Sequence, residues 1–303
     1  MTLPILLLTG CEGQLGRSFS EHWSRSDFDV RYELVEVARN QLDITNERGL
    51  LSYLDDLSPS VIVNAAAYTK VDKAETDRES ARLVNESAVS NLAHWCKGNN
   101  GLLFHVSTDF VFDGNTSYPY TTDSPANPLS VYGSSKLAGE KHVLEALPSG
   151  GLVVRTSWLY SEHGHNFVKT MLRLFSEGRV VKVVNDQIGS PTSAHSLSRF
   201  ILRLIDDGIG AGIFHFTDGG QISWYEFALS IREIALELGI IPSQSVVLPV
   251  PSAEYPTAAR RPAYSVLDLT SAGRYANNDD QAWKLELRRV LERIKTGPVI
   301  DTQ

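Results

Sequence analysis

Residues 5–16 read Ile-Leu-Leu-Leu-Thr-Gly-Cys-Glu-Gly-Gln-Leu-Gly, an apolar run that empties into three glycines spaced three apart. A continuous apolar run suits a parallel strand covered on both faces. Gly10-x-x-Gly13-x-x-Gly16 after a strand and before a helix is the pattern of a dinucleotide-binding turn. Gly10 permits the tight turn, Gly13 lets the backbone approach a pyrophosphate, and Gly16 lets the helix sit close to the sheet. Gln14 and Leu15 open that helix, whose free N–H groups and positive dipole end face the phosphates. The same residues superficially resemble a signal segment ending in a lipidated Cys11. They lack a basic leader, and the apolar run is shorter than the ~7–15 residues such a segment needs. A first buried strand is the expectation, and no run of about 18 apolar residues suggests a membrane partner.

Outward from this turn, strand-like and helical stretches alternate. Helical patterns are expected at Gln14–Trp23, from Thr45 to the stop at Pro59, across Ala81–Trp95, and at Leu137–Leu147. Strands are expected at Leu34–Ala38, Val61–Val63, Leu102–Val106 and Leu152–Val154. This alternation implies an α/β fold, a doubly wound parallel sheet of Rossmann type. After about Arg155 the rhythm loosens. A helix at Phe167–Phe175, a loop-rich stretch over Asn185–Ala194 and a strand near 213–216 able to return to the main sheet follow. Ser223 and Glu226 form a capping box for a further helix, proline-dense residues 249–262 read as extended loop, and a last helix starts near Trp283. The expected division is a dinucleotide-binding domain at 1–157 and a smaller, loop-rich α/β substrate domain at 158–303.

Composition narrows the function classes. Lys plus Arg total 28 against 36 Asp plus Glu, a net charge of −8, opposite in sign to a nucleic-acid binder. Two cysteines, Cys11 and Cys96, suit free thiols in a reducing cytoplasm rather than a disulfide scaffold. The eight histidines form no H-x-x-x-H pair, and His163-x-His165 reads as exposed loop, so no metal site is expected. For the cofactor, the second strand ends in Val37-Ala38-Arg39 without an acid at its tip. An arginine there suits the 2′-phosphate of NADP, while Glu36 is the competing residue for an NAD ribose. NADPH is therefore expected, with NADH as the second option.

Tyr132-Gly-Ser-Ser-Lys136 puts a phenol and an ammonium one helical turn apart. With 11 tyrosines and nine lysines in 303 positions, about a third of one such pair arises by chance. Its placement carries the weight, at the C-terminal edge where open α/β sheets bind ligands. A nearby cation favours the phenolate, so Lys136 is expected to lower the Tyr132 pKa. Thr108 ends the fourth strand over the same crevice, where a hydroxyl can bond a carbonyl oxygen as charge builds on it.

These residues, with Asn64-Ala65-Ala66-Ala67-Tyr68-Thr69, Ser107-Thr108-Asp109, Arg155-Thr-Ser-Trp158 and Asp186-Gln187-x-Gly189-x-Pro191-Thr192, resemble the extended short-chain dehydrogenase/reductases. Within them, the chain is similar to the dTDP-4-dehydrorhamnose reductase family from residue 9 to about 270. The resemblance implies NAD(P)H-dependent reduction of the C4 ketone of a nucleotide sugar, with Tyr132 as proton donor, Lys136 on the nicotinamide ribose and Thr108 on the keto oxygen. It implies that Asp43, Ile44, Ala65, Ala66, Ala67 and Val106 border the dinucleotide, and that Asp109 and Trp158 belong to the sugar-nucleotide site. Arg261, in the Arg260-Arg261-Pro262 element, is a candidate for the diphosphate, together with Lys169 and Arg173 of the helix Phe167–Phe175. Thr122 stands where the family often has glutamate. Ser18 and His195 replace two of three glutamates that hold interfacial Mg²⁺ in some members, leaving Glu292. A monomer or homodimer without an Mg-bridged interface is therefore expected. The alternatives are a non-catalytic dinucleotide-binding regulatory subunit and a reductase of a different deoxysugar.

Overall fold

The computed structural model describes residues 3–242, 245–273, 275 and 283–297. Five strands follow the expected order: β1 (Ile5–Thr9), β2 (Glu33–Val37), β3 (Val61–Asn64), β4 (Leu102–Thr108) and β5 (Gly151–Thr156). The strand Gly212–His215 returns to pair with β5, closing a six-stranded parallel sheet ordered Gly212–His215, β5, β4, β3, β1, β2. Side-chain alternation explains why the runs are wholly apolar. Leu6, Leu8, Val61, Val63, Phe104, Leu152 and Val154 enter one core, while Leu7, Ile62, Leu103 and Val153 enter the other. Helix α1 (Gln14–Trp23) and the helix Ala194–Asp206 cover the first face. Glu47–Leu57, Ala88–Asn99 and Val131–Ala146 cover the second.

The helix Ala194–Asp206 stands just past the expected loop-rich stretch and was not anticipated. Its signal is in the sequence: Ser193 caps it by accepting from His195 N, and Leu197, Phe200, Ile201, Leu204 and Ile205 repeat on one face. Because this helix and the strand after it complete the first lobe, the chain crosses the expected boundary at residue 157 more than once. Residues 158–193 contribute a helix, Phe167–Ser176, and an edge strand, Val181–Val184. That strand pairs in parallel with Val247–Val250. The proline-dense segment thus contains a strand where loop was expected. Pro249 is tolerated because the pair is an isolated two-stranded sheet whose free edges need no donor from it. The expected helix Ala81–Trp95 is interrupted by a π-helical turn, Leu83–Ser87. The buried Asn85 side chain in that turn bonds Tyr68 N, Tyr68 O and Ser135 Oγ. No helix among the described residues is long and apolar enough to cross a membrane.

The helix Val131–Ala146 starts one residue before Tyr132, as the Tyr132–Lys136 spacing implies, capped by Ser130 accepting from Gly133 N. Gly133 lets it lie against the turn after β4, since a β-carbon there would come within 2.2 Å of the Phe110 carbonyl oxygen. Deeper in the same helix, Glu140 receives Arg155 of β5 at 2.7 Å and the hydroxyl of Ser107 of β4, all fully buried. This pair ties the helix to both strands. Glu140→Ala leaves the Arg155 charge uncompensated and is expected to cost about 3–5 kcal/mol, measured as the loss in unfolding free energy by denaturant titration.

Candidate active site

The sheet order changes direction between β1 and β3, the topological switch point where open α/β sheets leave a crevice. A cavity of about 510 Å³ opens there, lined by Gly10, Gly13, Arg39, Asp43, Ala66 and Lys70 among others. Gly10 has φ +70, and a β-carbon on it would stand 2.8 Å from Ala66 N. A β-carbon on Gly16 would stand 2.4 Å from the Gly10 carbonyl oxygen and 2.5 Å from Cys11 Cα. Gly13 caps α1 with no side-chain acceptor, so the first N–H groups of the helix face the cavity without an internal side-chain cap. The arrangement suits a phosphate.

Thr9, Ile44, Ala65 and Ala67 also line this cavity. Leu15 is buried in the core, and Gln14 Oε1 accepts from Asn166 Nδ2 at 2.8 Å, tying the turn to the second lobe. Arg39 reaches the cavity with its side chain 83% exposed, 3.9 Å from Asp43. Asp43 is held below the usual carboxylate range by the Thr45 hydroxyl and N–H. Glu36 does not line the cavity; its carboxylate takes the Ser20 hydroxyl of α1. Between the two competing residues, the cavity receives the arginine. Lys70 and Lys73, which the sequence reading passed over, add cations to the wall. Their signal was their position three and six residues after Ala67.

The reactive groups lie beyond this lining, at the C-terminal edge of β4. Thr108 and Tyr132 are both buried here, and the ring of Phe110, two residues past Thr108, packs edge-on against the Tyr132 ring with centroids 5.6 Å apart. Lys136 Nζ donates to Val106 O at 2.6 Å and lies 3.3 Å from His105 Nε2. Burial pushes Tyr132 up to about 12, and the neighbouring Asp109 adds to the rise while Thr108 opposes it. Burial also lowers Lys136 to about 8, partly offset by Glu140. The expectation that Lys136 lowers the phenol is therefore corrected. Desolvation outweighs the ammonium, whose nearest partners are a carbonyl and an imidazole rather than the phenol. Burial and the Lys136 charge hold His105 well below its ordinary value. Asp109 is buried and pushed up to about 6 by that burial, while the nearby Ser265 and Thr108 hydroxyls favour the carboxylate and oppose the rise.

Trp158 adopts φ +46 and stacks on Trp224 with ring centroids 3.6 Å apart. Gly189 makes room for its indole, because a β-carbon there would meet it at 2.6 Å. Arg261 is paired with Asp72 at 2.7 Å. Lys169 bonds the Glu162 carbonyl and Arg173 the Glu177 carboxylate. Of the positions where some relatives carry metal-binding glutamates, Ser18 is buried, His195 bonds Glu162 at 3.0 Å, and Glu292 is exposed. Glu21, Glu162 and His163 bring ligand atoms within 4.8 Å of one another. Arg293 already bonds both carboxylates, which makes this an ion-pair network.

The profile of the RmlD substrate binding domain family matches residues 4–296. The chain belongs to that family. It is 39% identical to a dTDP-4-dehydrorhamnose reductase of Aggregatibacter actinomycetemcomitans over 290 residues, 94% of this chain and 97% of the relative. A dTDP-4-keto-6-deoxy-D-glucose reductase of Streptomyces niveus is 38% identical over 86% of this chain and 87% of its own length. The crystal structure of the Bacillus anthracis dTDP-4-dehydrorhamnose reductase in complex with NADP superposes with TM-score 0.87 and 35% identity. The match covers 96% of this chain and all of that one. The Rossmann-type reading of the sheet thus stands on family, sequence and structure together.

The tight fit at Gly16 gives a direct check on the turn. Gly16→Ala is expected to lower stability by about 1–3 kcal/mol, since the clash is with backbone rather than a movable side chain. Chemical denaturation followed by intrinsic tryptophan fluorescence measures it.

Proposed function

We propose that this chain reduces the C4 ketone of dTDP-4-dehydro-L-rhamnose to dTDP-L-rhamnose with NADPH, accepting NADH less well. The observation that carries the reading is the burial of Tyr132, Thr108 and Lys136 at the C-terminal edge of β4, with Lys136 anchored on the Val106 carbonyl. The names of the relatives from A. actinomycetemcomitans and S. niveus support a C4 ketone on a dTDP-linked deoxysugar. The S. niveus enzyme also favours a second reading, a different 4-keto-6-deoxy sugar. Comparing kcat/KM on the two dTDP-4-keto-6-deoxy epimers separates them.

The glycine turn fits a dinucleotide: its space is already filled to contact, and the uncapped start of α1 presents donors there. Gly10, Gly13 and Gly16 would hold the pyrophosphate, Arg39 the 2′-phosphate, and Asp43, Ile44, Ala65, Ala66 and Ala67 the adenosine side. When bound, the nicotinamide supplies a hydride to the carbonyl carbon. Tyr132 delivers the proton. Its raised pKa keeps the phenol protonated at neutral pH, and the alkoxide it meets is far more basic than a phenolate. Thr108 donates to the same oxygen as charge develops. Lys136, held by Val106 and His105, binds the nicotinamide ribose and brings positive charge beside the phenolate left behind.

Trp158 and Arg261 complete the sugar-nucleotide side. Residues 1–157 act chiefly on the dinucleotide and 158–303 on the sugar nucleotide. A monomer or homodimer without a bridging Mg²⁺, working in the cytoplasm, fits the replaced glutamates and the free thiols. A purely regulatory dinucleotide-binding role is disfavoured, because a binding module has no need of a proton donor beside a buried lysine.

Two outcomes are expected. Tyr132→Phe keeps NADPH binding, read by quenching of tryptophan fluorescence, but loses turnover by roughly 10²–10⁴-fold. Near-normal turnover removes the phenol from the proton-donor role. Arg39→Ala weakens NADPH about tenfold more than NADH, or about 1.4 kcal/mol by titration. An equal loss for both cofactors contradicts the assignment of Arg39 to the 2′-phosphate.

A further inference from the structure

Asp109 is a buried carboxyl at the end of β4 that the proton transfer described above does not use. Its Oδ1 accepts the Thr108 hydroxyl at 3.0 Å, and its Oδ2 is buried with no hydrogen-bond partner. The groups facing it come from three elements. They are the Thr108 hydroxyl from β4, the Tyr132 phenol from the helix Val131–Ala146, and the Ser265 hydroxyl from the segment 264–267. Its own turn adds backbone N–H groups, and no ion pair to Asp109 forms among the described residues.

The inventory of hydrogens on Thr108 makes this carboxyl consequential. The Thr108 oxygen already accepts from Phe110 N at 3.2 Å. It has a single hydrogen to give, which goes to Asp109 Oδ1 or to a substrate carbonyl. A carboxylate holds that hydrogen in a charge-assisted bond roughly twice as strong as the bond to a neutral acid. An anion at this place also opposes negative charge building on the keto oxygen, as it opposes ionisation of Tyr132.

We propose that Asp109 is a positioning residue for the ketone reduction: the neutral carboxyl releases the Thr108 hydroxyl to the keto oxygen, and the carboxylate withdraws it. This rests on the reductase reading. The proton on Asp109 is not consumed in the cycle, so the net proton balance is that of Tyr132 alone. Burial with one unpartnered oxygen favours the neutral form and places its ionisation near neutrality, at about 6.

Single-turnover reduction of dTDP-4-dehydro-L-rhamnose by the NADPH-loaded enzyme tests this between about pH 5 and 7, where Lys136 stays largely protonated. The wild-type rate should fall about tenfold per pH unit above the Asp109 midpoint. Asp109→Asn should flatten the profile to within about twofold across that range. A variant that keeps the same limb, or a wild type without one, overturns the proposal. Ser265→Ala removes a hydroxyl that favours the carboxylate, so the limb should move to higher pH; an unmoved midpoint counts against it even where Asp109→Asn fails to fold. A readout independent of substrate is the ¹³Cγ shift of Asp109 in the ligand-free protein. Titration near 6 is expected, and titration in the ordinary carboxylate range overturns the proposal whichever ketone the enzyme reduces. Absence of turnover at every pH instead counts against the reductase reading, and the carbon shift then decides on Asp109 alone.

Discussion

Three backbone segments meet at the end of β1 with no room for a single β-carbon between them. The Gly10 carbonyl occupies the space beside Gly16, and the Ala65–Ala66 peptide occupies the space beside Gly10. Contacts this close clamp the start of α1 against the tips of β1 and β3 and leave its N–H groups aimed into the crevice between them. The same helix fixes the second lobe, because Gln14 receives hydrogen bonds from Ser161 and Asn166. The glycine turn, proposed above as the phosphate cradle, therefore also ties the two lobes together. A chain with a net charge of −8 still brings Arg39, Lys70 and Lys73 to this cavity, beside Glu12, Asp43 and Asp77 and the N–H groups of the turn. Net charge describes the surface and says little about such a site.

Desolvation sets the chemistry next to that cradle. It moves Tyr132 and Lys136 in opposite directions, the phenol up to about 12 and the ammonium down to about 8. Both shifts favour the neutral forms, as low dielectric requires. Each unit corresponds to about 1.4 kcal/mol of preference between protonation states. A protonated phenol suits the proposed reduction, in which Tyr132 would give its hydrogen away. The lysine is kept in place by the Val106 carbonyl and His105 rather than by an acid, which leaves its charge available to whatever anion forms nearby.

The inner strands of the sheet were legible because both faces of β1, β3 and β5 are buried and read as apolar runs, whereas the edge strand β2 carries Glu33 and Glu36. The glycine spacing was legible because strand and helix bracket it. Arg39 could be set against Glu36 from strand alternation, and the structure places them apart: one in the cavity, the other on Ser20 of α1. Three features were hidden. The π-helical turn at Leu83–Ser87 depends on Asn85 finding Tyr68 and Ser135, partners remote in sequence. The strand through Pro249 depends on its being at an edge. The direction of the Tyr132 shift depends on burial, which no i, i+4 spacing reports. The helix Ala194–Asp206 is a different case, for its capping serine and apolar stripe were readable, and only the glycine- and proline-rich stretch before it suggested loop.

The central claim is that this crevice carries a hydride to a sugar ketone while Tyr132 supplies the proton. Its most direct test is isotopic: incubate the protein with dTDP-4-dehydro-L-rhamnose and NADPH deuterated at both positions of nicotinamide C4, then examine the sugar by NMR. The account predicts one deuterium, at C4 of dTDP-L-rhamnose and on a single face. Unchanged substrate, or product carrying hydrogen from solvent at C4, contradicts it.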